Sequence, residues 1–369
     1  MTFNAFTSVI IYFLVFSIST VLMYIGSKKK LKTLTILSLL IIVIFSAIRF
    51  EAGTDTATYR TFYEQVSTST IERSMVRLMS GEIEPFILLT ATVGGLLGLD
   101  AWFMFGIFAL ITIFFFYKTS QKLDKKYYWV LYGALLIMAF PNSLNTMRQM
   151  AAMSVLSYLL SNIIDSVIKK QRVHVTKIVL FSLFAISLHY SSVALLPILL
   201  VPYIVNRFGY HKAFYIFGFL AIFIVTLYKP ALLILTTVRI VSQKHYYTFV
   251  DTSGSLLNFN FLICGSLALI GALHYRHHKN ANPVNEHMLP IIMTGAAYSA
   301  IGFYSGYLGR LADFFWPFAI FMLWQIISET KEPPLTKIAT IYTIAVAYFL
   351  LAFVILGTNQ LIPYDIIGG

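Results

Sequence analysis

The sequence predicts an all-α, polytopic integral membrane protein, and three observations carry that prediction. The 369 residues are 58% hydrophobic and only 11% charged, with a mean hydropathy of +0.78, more apolar surface than a soluble core can hide. The hydrophobic residues fall into runs close to the ~20 residues that a bilayer helix needs. The basic residues gather in short clusters between those runs, where they set orientation or meet anionic headgroups. A net charge of +12 would point to nucleic acid in a soluble chain, but no soluble basic domain is present to bind it, so no nucleic-acid partner is expected. Cys264, the single cysteine, lies in an apolar run, which leaves no disulfide framework and no cysteine metal site.

The first run, 6–26, has no basic residue before it and is long enough to span, so it reads as the first transmembrane helix rather than a cleaved signal peptide. Lys28, Lys29, Lys30 and Lys32 follow, and the positive-inside bias places this turn in the cytoplasm. Run 32–49 then crosses outward. The polar stretch 50–84, with Glu51, Asp55, Glu64, Glu72, Glu82 and Glu84 against Arg49, Arg60, Arg73 and Arg77, becomes an outer loop. Four later clusters mark cytoplasmic loops: Lys118 to Lys126, Lys169 to Lys177, Arg276 to Lys279, and Lys331 with Lys337. Parity between these landmarks tests the remaining runs. An odd number of crossings must join loop 50–84 to Lys118, yet two apolar runs lie there, 85–98 and 101–117. The shorter carries Gly94-Gly95 and Gly98 and reads as re-entrant or interfacial.

Runs 128–140 and 145–164 cross next. The stretch 177–206 must begin and end inside, which it does as two short helices meeting at Leu188-His189-Tyr190-Ser191-Ser192; one long tilted helix kinked at Pro197 is the alternative. Runs 213–235, 256–274, 288–308, 310–328 and 336–357 follow, with 236–255 as a second outer loop. The expectation is one transmembrane domain, 1–369, of about 11–12 transmembrane helices, one or two of them short, re-entrant or broken.

On this topology the polar residues collect on the outer side: Arg49, Asp55 and Tyr59; Arg148 and Gln149; His189; Arg239, Lys244 and His245; Arg310 and Asp313. Ionisable groups at membrane depth are costly unless they face a cavity or a partner, so the clustering is a functional-site hypothesis. The segment Pro141-Asn142-Ser143-Leu144-Asn145-Thr146-Met147-Arg148-Gln149 ends one helix and begins another. A helix N-terminus beside an arginine fork suits an anion such as a lipid diphosphate. Arg148 paired to Asp55 or Asp313 as a helix clasp, or snorkelling to headgroups, is the competing reading. His189 at an apex could take a proton, or could simply pack between helices. No carboxylate or second histidine is near it in sequence, so no metal is expected. His274, His277 and His278 belong to a cytoplasmic loop. Arg310 and Asp313 share a helix face, as a local ion pair or as an arginine oriented for a ligand. Tyr304 and Tyr307, like Tyr246 and Tyr247, place rings near the outer polar groups, where they could stack on sugars or mark the headgroup belt.

The run Ile48-Arg49-Phe50-x-x-Gly53-Thr54-Asp55-x-x-x-Tyr59-x-x-x-Tyr63, the Asn145-x-x-Arg148-Gln149-x-x-Ala152 helix start, the Leu188-His189-x-Ser191 break and Gly309-Arg310-x-x-x-Phe314-Phe315 together resemble the EpsG family of Wzy-type polysaccharide polymerases. The resemblance covers nearly the whole chain, down to Ile362-Pro363-Tyr364. It implies a GT-C-like membrane glycosyltransferase that joins polyprenyl-diphosphate-linked oligosaccharide repeats on the outer face of the bacterial cytoplasmic membrane, as in O-antigen, capsule or exopolysaccharide synthesis. It implies no metal and no other cofactor, because the lipid diphosphate is already an activated leaving group. It also implies a flippase and a chain-length regulator as partners. Carried over position by position, Arg148, Arg310 and Arg49 would hold diphosphate and His189 or Asp55 would take the proton; beside the resemblance, the placement of Tyr59, Gln149, Lys244 and Tyr304 near the outer polar groups makes them candidates for sugar contact. A lipid-linked oligosaccharide flippase would need polar groups along both halves of its path and often shows repeats; neither is evident. An O-antigen-ligase-like transferase differs only in acceptor.

Overall fold

Apolar runs wind into helices because lipid offers no partner for a free peptide group, and the points where those helices stop position the site. The computed structural model describes residues 3–50, 52–81, 83–213, 215–220, 223, 226–227, 259–277, 283–302 and 309–366. Helix α1 (Ala5–Lys29) opens at Asn4, whose side chain accepts the Thr7 N–H at 2.8 Å, and closes where Lys30 turns left-handed at φ 54°. Helix α2 (Lys32–Ala47) starts after Leu31, so the orienting lysines form a tight helical hairpin. Gly26 permits it: a Cβ there would meet Thr35 Oγ1 at 2.8 Å.

The stretch 50–84, read as an outer loop, is largely helical. It contains α3 (Thr56–Ser67) and α4 (Ile71–Met79), the second capped by Thr70. Helix α5 (Pro85–Leu96) follows; its 12 residues extend roughly 18 Å, short of the ~30 Å hydrocarbon core. Its glycines are contact points, since a Cβ on Gly94 would sit 2.1 Å from the Tyr63 hydroxyl and one on Gly95 2.8 Å from Ser67. Next come α6 (Ala101–Leu123), α7 (Tyr128–Met138), α8 (Phe140–Asn145) and α9 (Met147–Ile168). A buried polar node ties α1 and α2 to α7: the Ser19 and Ser38 hydroxyls lie 3.0 Å apart and reach the Tyr132 hydroxyl at 3.0 and 3.3 Å.

Helix α10 (Val175–Leu188) ends at His189, whose backbone is extended (φ −161°, ψ 122°). A 3₁₀ helix, Tyr190–Leu200, and α11 (Val201–Phe208) continue the chain. The expected break in 177–206 is therefore present, and the single kinked helix is not what the chain adopts. Run 213–235 is described only in part, and loop 236–255 lies outside the described residues. The later helices are α12 (Phe259–His277), α13 (Pro283–Ile301), α14 (Trp316–Ser328), preceded by a 3₁₀ turn Arg310–Phe315, and α15 (Pro334–Phe349).

Among the described residues six helical stretches are long and apolar enough to cross a membrane: Ala5–Lys29, Ala101–Leu123, Met147–Ile168, Tyr190–Phe208, Arg310–Ser328 and Pro334–Ile355. Lys32–Ala47, Pro85–Leu96, Tyr128–Met138 and Val175–Leu188 are apolar but shorter. The protein is an all-α, multi-pass membrane protein. It divides into two compact units, Met1–Leu159 with His174–Ala194 and Lys331–Gly369, and Leu160–Val173 with Leu195–Thr330. In the second unit glycines again let helices approach: a Cβ on Gly271 would meet Met322 and Leu289, and one on Gly295 would meet Phe315.

Candidate functional site

The site in the first unit is built on the turn Ala52 to Asp55. Gly53 adopts φ +100°, a conformation that side chains resist, and a Cβ there would lie 3.0 Å from the Leu144 carbonyl. Across this turn, α8 stops at Asn145, Thr146 leaves the helical range (φ −99°, ψ 53°), and α9 begins. The fully buried Asn145 spans the gap. Its Oδ1 accepts from Thr54 Oγ1 at 2.9 Å and from the Asp55 N–H at 2.8 Å, while its Nδ2 donates to Asn359 at 3.1 Å. Asn359 in turn donates to Asn142 at 2.9 Å. The Gly53 and Thr54 N–H groups donate to the Gln360 and Asn359 carbonyls, each at 3.2 Å, and the Phe50 N–H to Asp365 at 2.8 Å. Three segments far apart in sequence thus hold Asp55 at the start of α3.

Beside this turn one carboxylate holds two candidate residues. Glu84 precedes Pro85, and a residue before proline is driven to extended backbone; its φ −75° and ψ 146° set the side chain off from the α5 axis. One oxygen, Oε2, accepts from Arg148 Nη1. The other, Oε1, lies 2.7 Å from His189 Nδ1. The adjacent residues are joined as well, since the Tyr190 hydroxyl donates to the Ile83 carbonyl at 3.0 Å. Burial is the largest influence on the Glu84 carboxyl and raises its pKa; the His189 hydrogen bond and the Arg148 charge together outweigh it, and the group is held below its usual range. The Glu84 side chain is 6% exposed, against 27% for Arg148 and 25% for His189. Arg148 also lies over the Tyr59 ring, 5.3 Å from its centroid, and its buried Nε–H has no hydrogen-bond partner among the described residues.

The EpsG family model matches residues 32–366. The chain belongs to the EpsG family. EpsG-type proteins are Wzy-like polymerases, so at family level this is a Wzy-like polysaccharide polymerase or glycosyltransferase. No curated protein and no solved structure matches it.

Within this EpsG chain the first unit brings together Asp55, Tyr59, Arg148, Gln149 and His189. Arg148 pairs with Glu84 rather than with the Asp55 or Asp313 weighed from sequence. Tyr59 and Gln149 are buried, and the Tyr59 face is taken by the Arg148 guanidinium. Arg49 is 1% exposed: its Nη1 donates to the Ser46 carbonyl at 2.7 Å and the Ser46 hydroxyl at 2.6 Å, and its guanidinium lies 4.2 Å from the Phe105 ring centroid. That placement buries it under the turn, where it anchors the end of α2. Arg310 is half-buried at the start of its 3₁₀ turn in the second unit, with Asp313 buried in the same turn. Lys244 and Tyr304 lie outside the described residues. Glu84 itself was legible only as one acid among several in 50–84. The Glu-Pro pair at the head of an apolar run was the available signal.

Proposed function

We propose that this protein is a metal-independent glycosyltransferase that polymerises polyprenyl-diphosphate-linked oligosaccharide repeats on the outer face of the cytoplasmic membrane. The observation that carries the reading is the pairing of Arg148 and His189 on opposite oxygens of one buried carboxylate. It holds an anion-binding fork and a proton acceptor on the two oxygens of a single side chain, each part-exposed. Arg148 would bind the donor diphosphate from the first turn of α9, with its guanidinium fork matched to phosphate oxygens. As the acceptor hydroxyl oxygen bonds to the donor anomeric carbon, the bond from that carbon to the diphosphate oxygen breaks. The electron pair leaves on polyprenyl diphosphate, whose growing charge Arg148 neutralises. The hydroxyl proton passes to His189 or Asp55. Arg310 is assigned diphosphate chemistry on the sequence resemblance. Family membership supports the reading, and so does the satisfied polar network of Asn142, Asn145 and Asn359, which fixes the turn carrying Asp55.

The test is reconstitution. Purified protein given a polyprenyl-diphosphate oligosaccharide should release polyprenyl diphosphate and produce a ladder of products spaced by one repeat. Translocation of the lipid across vesicles with no ladder would sink the proposal in favour of a flippase.

A further inference from the structure

Glu84 has the geometry of a support. Its carboxylate is nearly closed to solvent, while the two groups it holds remain open enough to meet a ligand, so its effect on a substrate must pass through them. We infer that Glu84 is the positioning residue of this site: it fixes the His189 tautomer and the Arg148 fork from beneath, and so selects His189, through Nε2, as the group that takes the acceptor proton. This rests on the polymerase reading above for the proton's source.

The tautomer follows from hydrogen-bond chemistry. An ionised carboxylate only accepts, and Glu84 is kept ionised by the company of Arg148 and His189. A contact of 2.7 Å from Oε1 to Nδ1 then requires the proton to sit on Nδ1. In the neutral imidazole the free lone pair is on Nε2, the nitrogen turned from Glu84. The second oxygen is committed to Arg148, so each oxygen of Glu84 faces a donor. Among the described residues the titratable and charged groups that act on it are Arg148, His189, Tyr59 and Tyr190. No glutamine can reproduce this arrangement, because it offers one acceptor and one donor where two acceptors are needed. In the reaction, Nε2 takes the hydroxyl proton while the sugar oxygen bonds to the anomeric carbon and polyprenyl diphosphate departs with the electron pair. Glu84 stabilises the imidazolium so formed, and Arg148 stays aligned to the leaving diphosphate.

Two measurements test this. The first needs no turnover: ¹⁵N-histidine NMR of the full-length protein, with the His189 signals assigned by their loss in His189→Gln. A protonated Nδ1 and an unprotonated Nε2 are expected in the wild type, with the Nδ1–H form lost in Glu84→Gln. A proton on Nε2 in the wild type, or an unchanged tautomer in the variant, overturns the inference. The second is a double-mutant cycle on elongation. His189→Ala is expected to lower kcat about 10²–10⁴-fold and Glu84→Gln about 10²-fold. The double variant should have the kcat of His189→Ala, with donor KM raised by Glu84→Gln in both backgrounds through Arg148. Losses in kcat that multiply would mean that Glu84 acts only as a structural clasp. A wild type that makes no ladder would defeat the polymerase reading, and the NMR result would still decide the role of Glu84.

Discussion

Glu84 is buried while the side chains on its two oxygens are each about a quarter exposed, and this asymmetry gives it a definite pH behaviour. Its folded pKa lies below the ordinary 4.5. Its contacts therefore add stability that is fully present above about pH 4.5 and is lost as the pH falls through the folded value. The difference in thermal midpoint between wild type and Glu84→Gln should narrow on the acid side of that pH; a gap that fails to narrow would contradict the ion pair. Gly53 offers a second test at this scale. With φ +100° and the Leu144 carbonyl 3.0 Å from any Cβ, Gly53→Ala should cost about 1–3 kcal/mol, measured as a lowered thermal midpoint. Arg148 and His189 were legible in the sequence because a charged or polar group in an apolar run stands out. Glu84 was not, because it stands among other acids and meets partners 64 and 105 positions away.

At the scale of elements, the decisive contacts run between helix ends. The break at Asn145 and the break at His189 were both readable, since Asn, Thr and Ser compete for backbone groups at such points. The helices within 50–84 were not foreseen, because the stretch is polar overall and its Tyr59, Tyr63 and Val66 face becomes meaningful only once another helix covers it. Nor was the return of the C-terminal segment, whose Asn359 joins Asn142 to Asn145 and whose Tyr364 stacks on Phe45 at 4.5 Å between ring centroids. No local pattern encodes a contact over 200 residues. Asn145→Ala removes the acceptor of the Asp55 N–H and the donor to the Asn359 side-chain oxygen, and should cost about 1–3 kcal/mol along with elongation activity. A variant with wild-type midpoint and turnover would show that the turn is held by other means.

For the whole molecule, the positive-inside bias at the lysines after α1 predicts an orientation that a labelling experiment can check. Arg73 is exposed on α4 and Lys125 is exposed after α6, while Cys264 is buried and contributes little background. In intact cells Arg73→Cys should react with an impermeant maleimide and Lys125→Cys should react only after permeabilisation; the reverse pattern would invert the topology. The all-α membrane class was legible because the bilayer imposes length and polarity so strictly. Which carboxylate meets which base was not, because that depends on how short helix ends meet. If Arg148 binds the leaving diphosphate as a planar fork held by Glu84, single-turnover formation of the first elongated product must distinguish wild type from Arg148→Lys. Arg148→Lys should lose about 10–100-fold despite the retained charge; equal turnover in the two proteins would remove Arg148 from the diphosphate site.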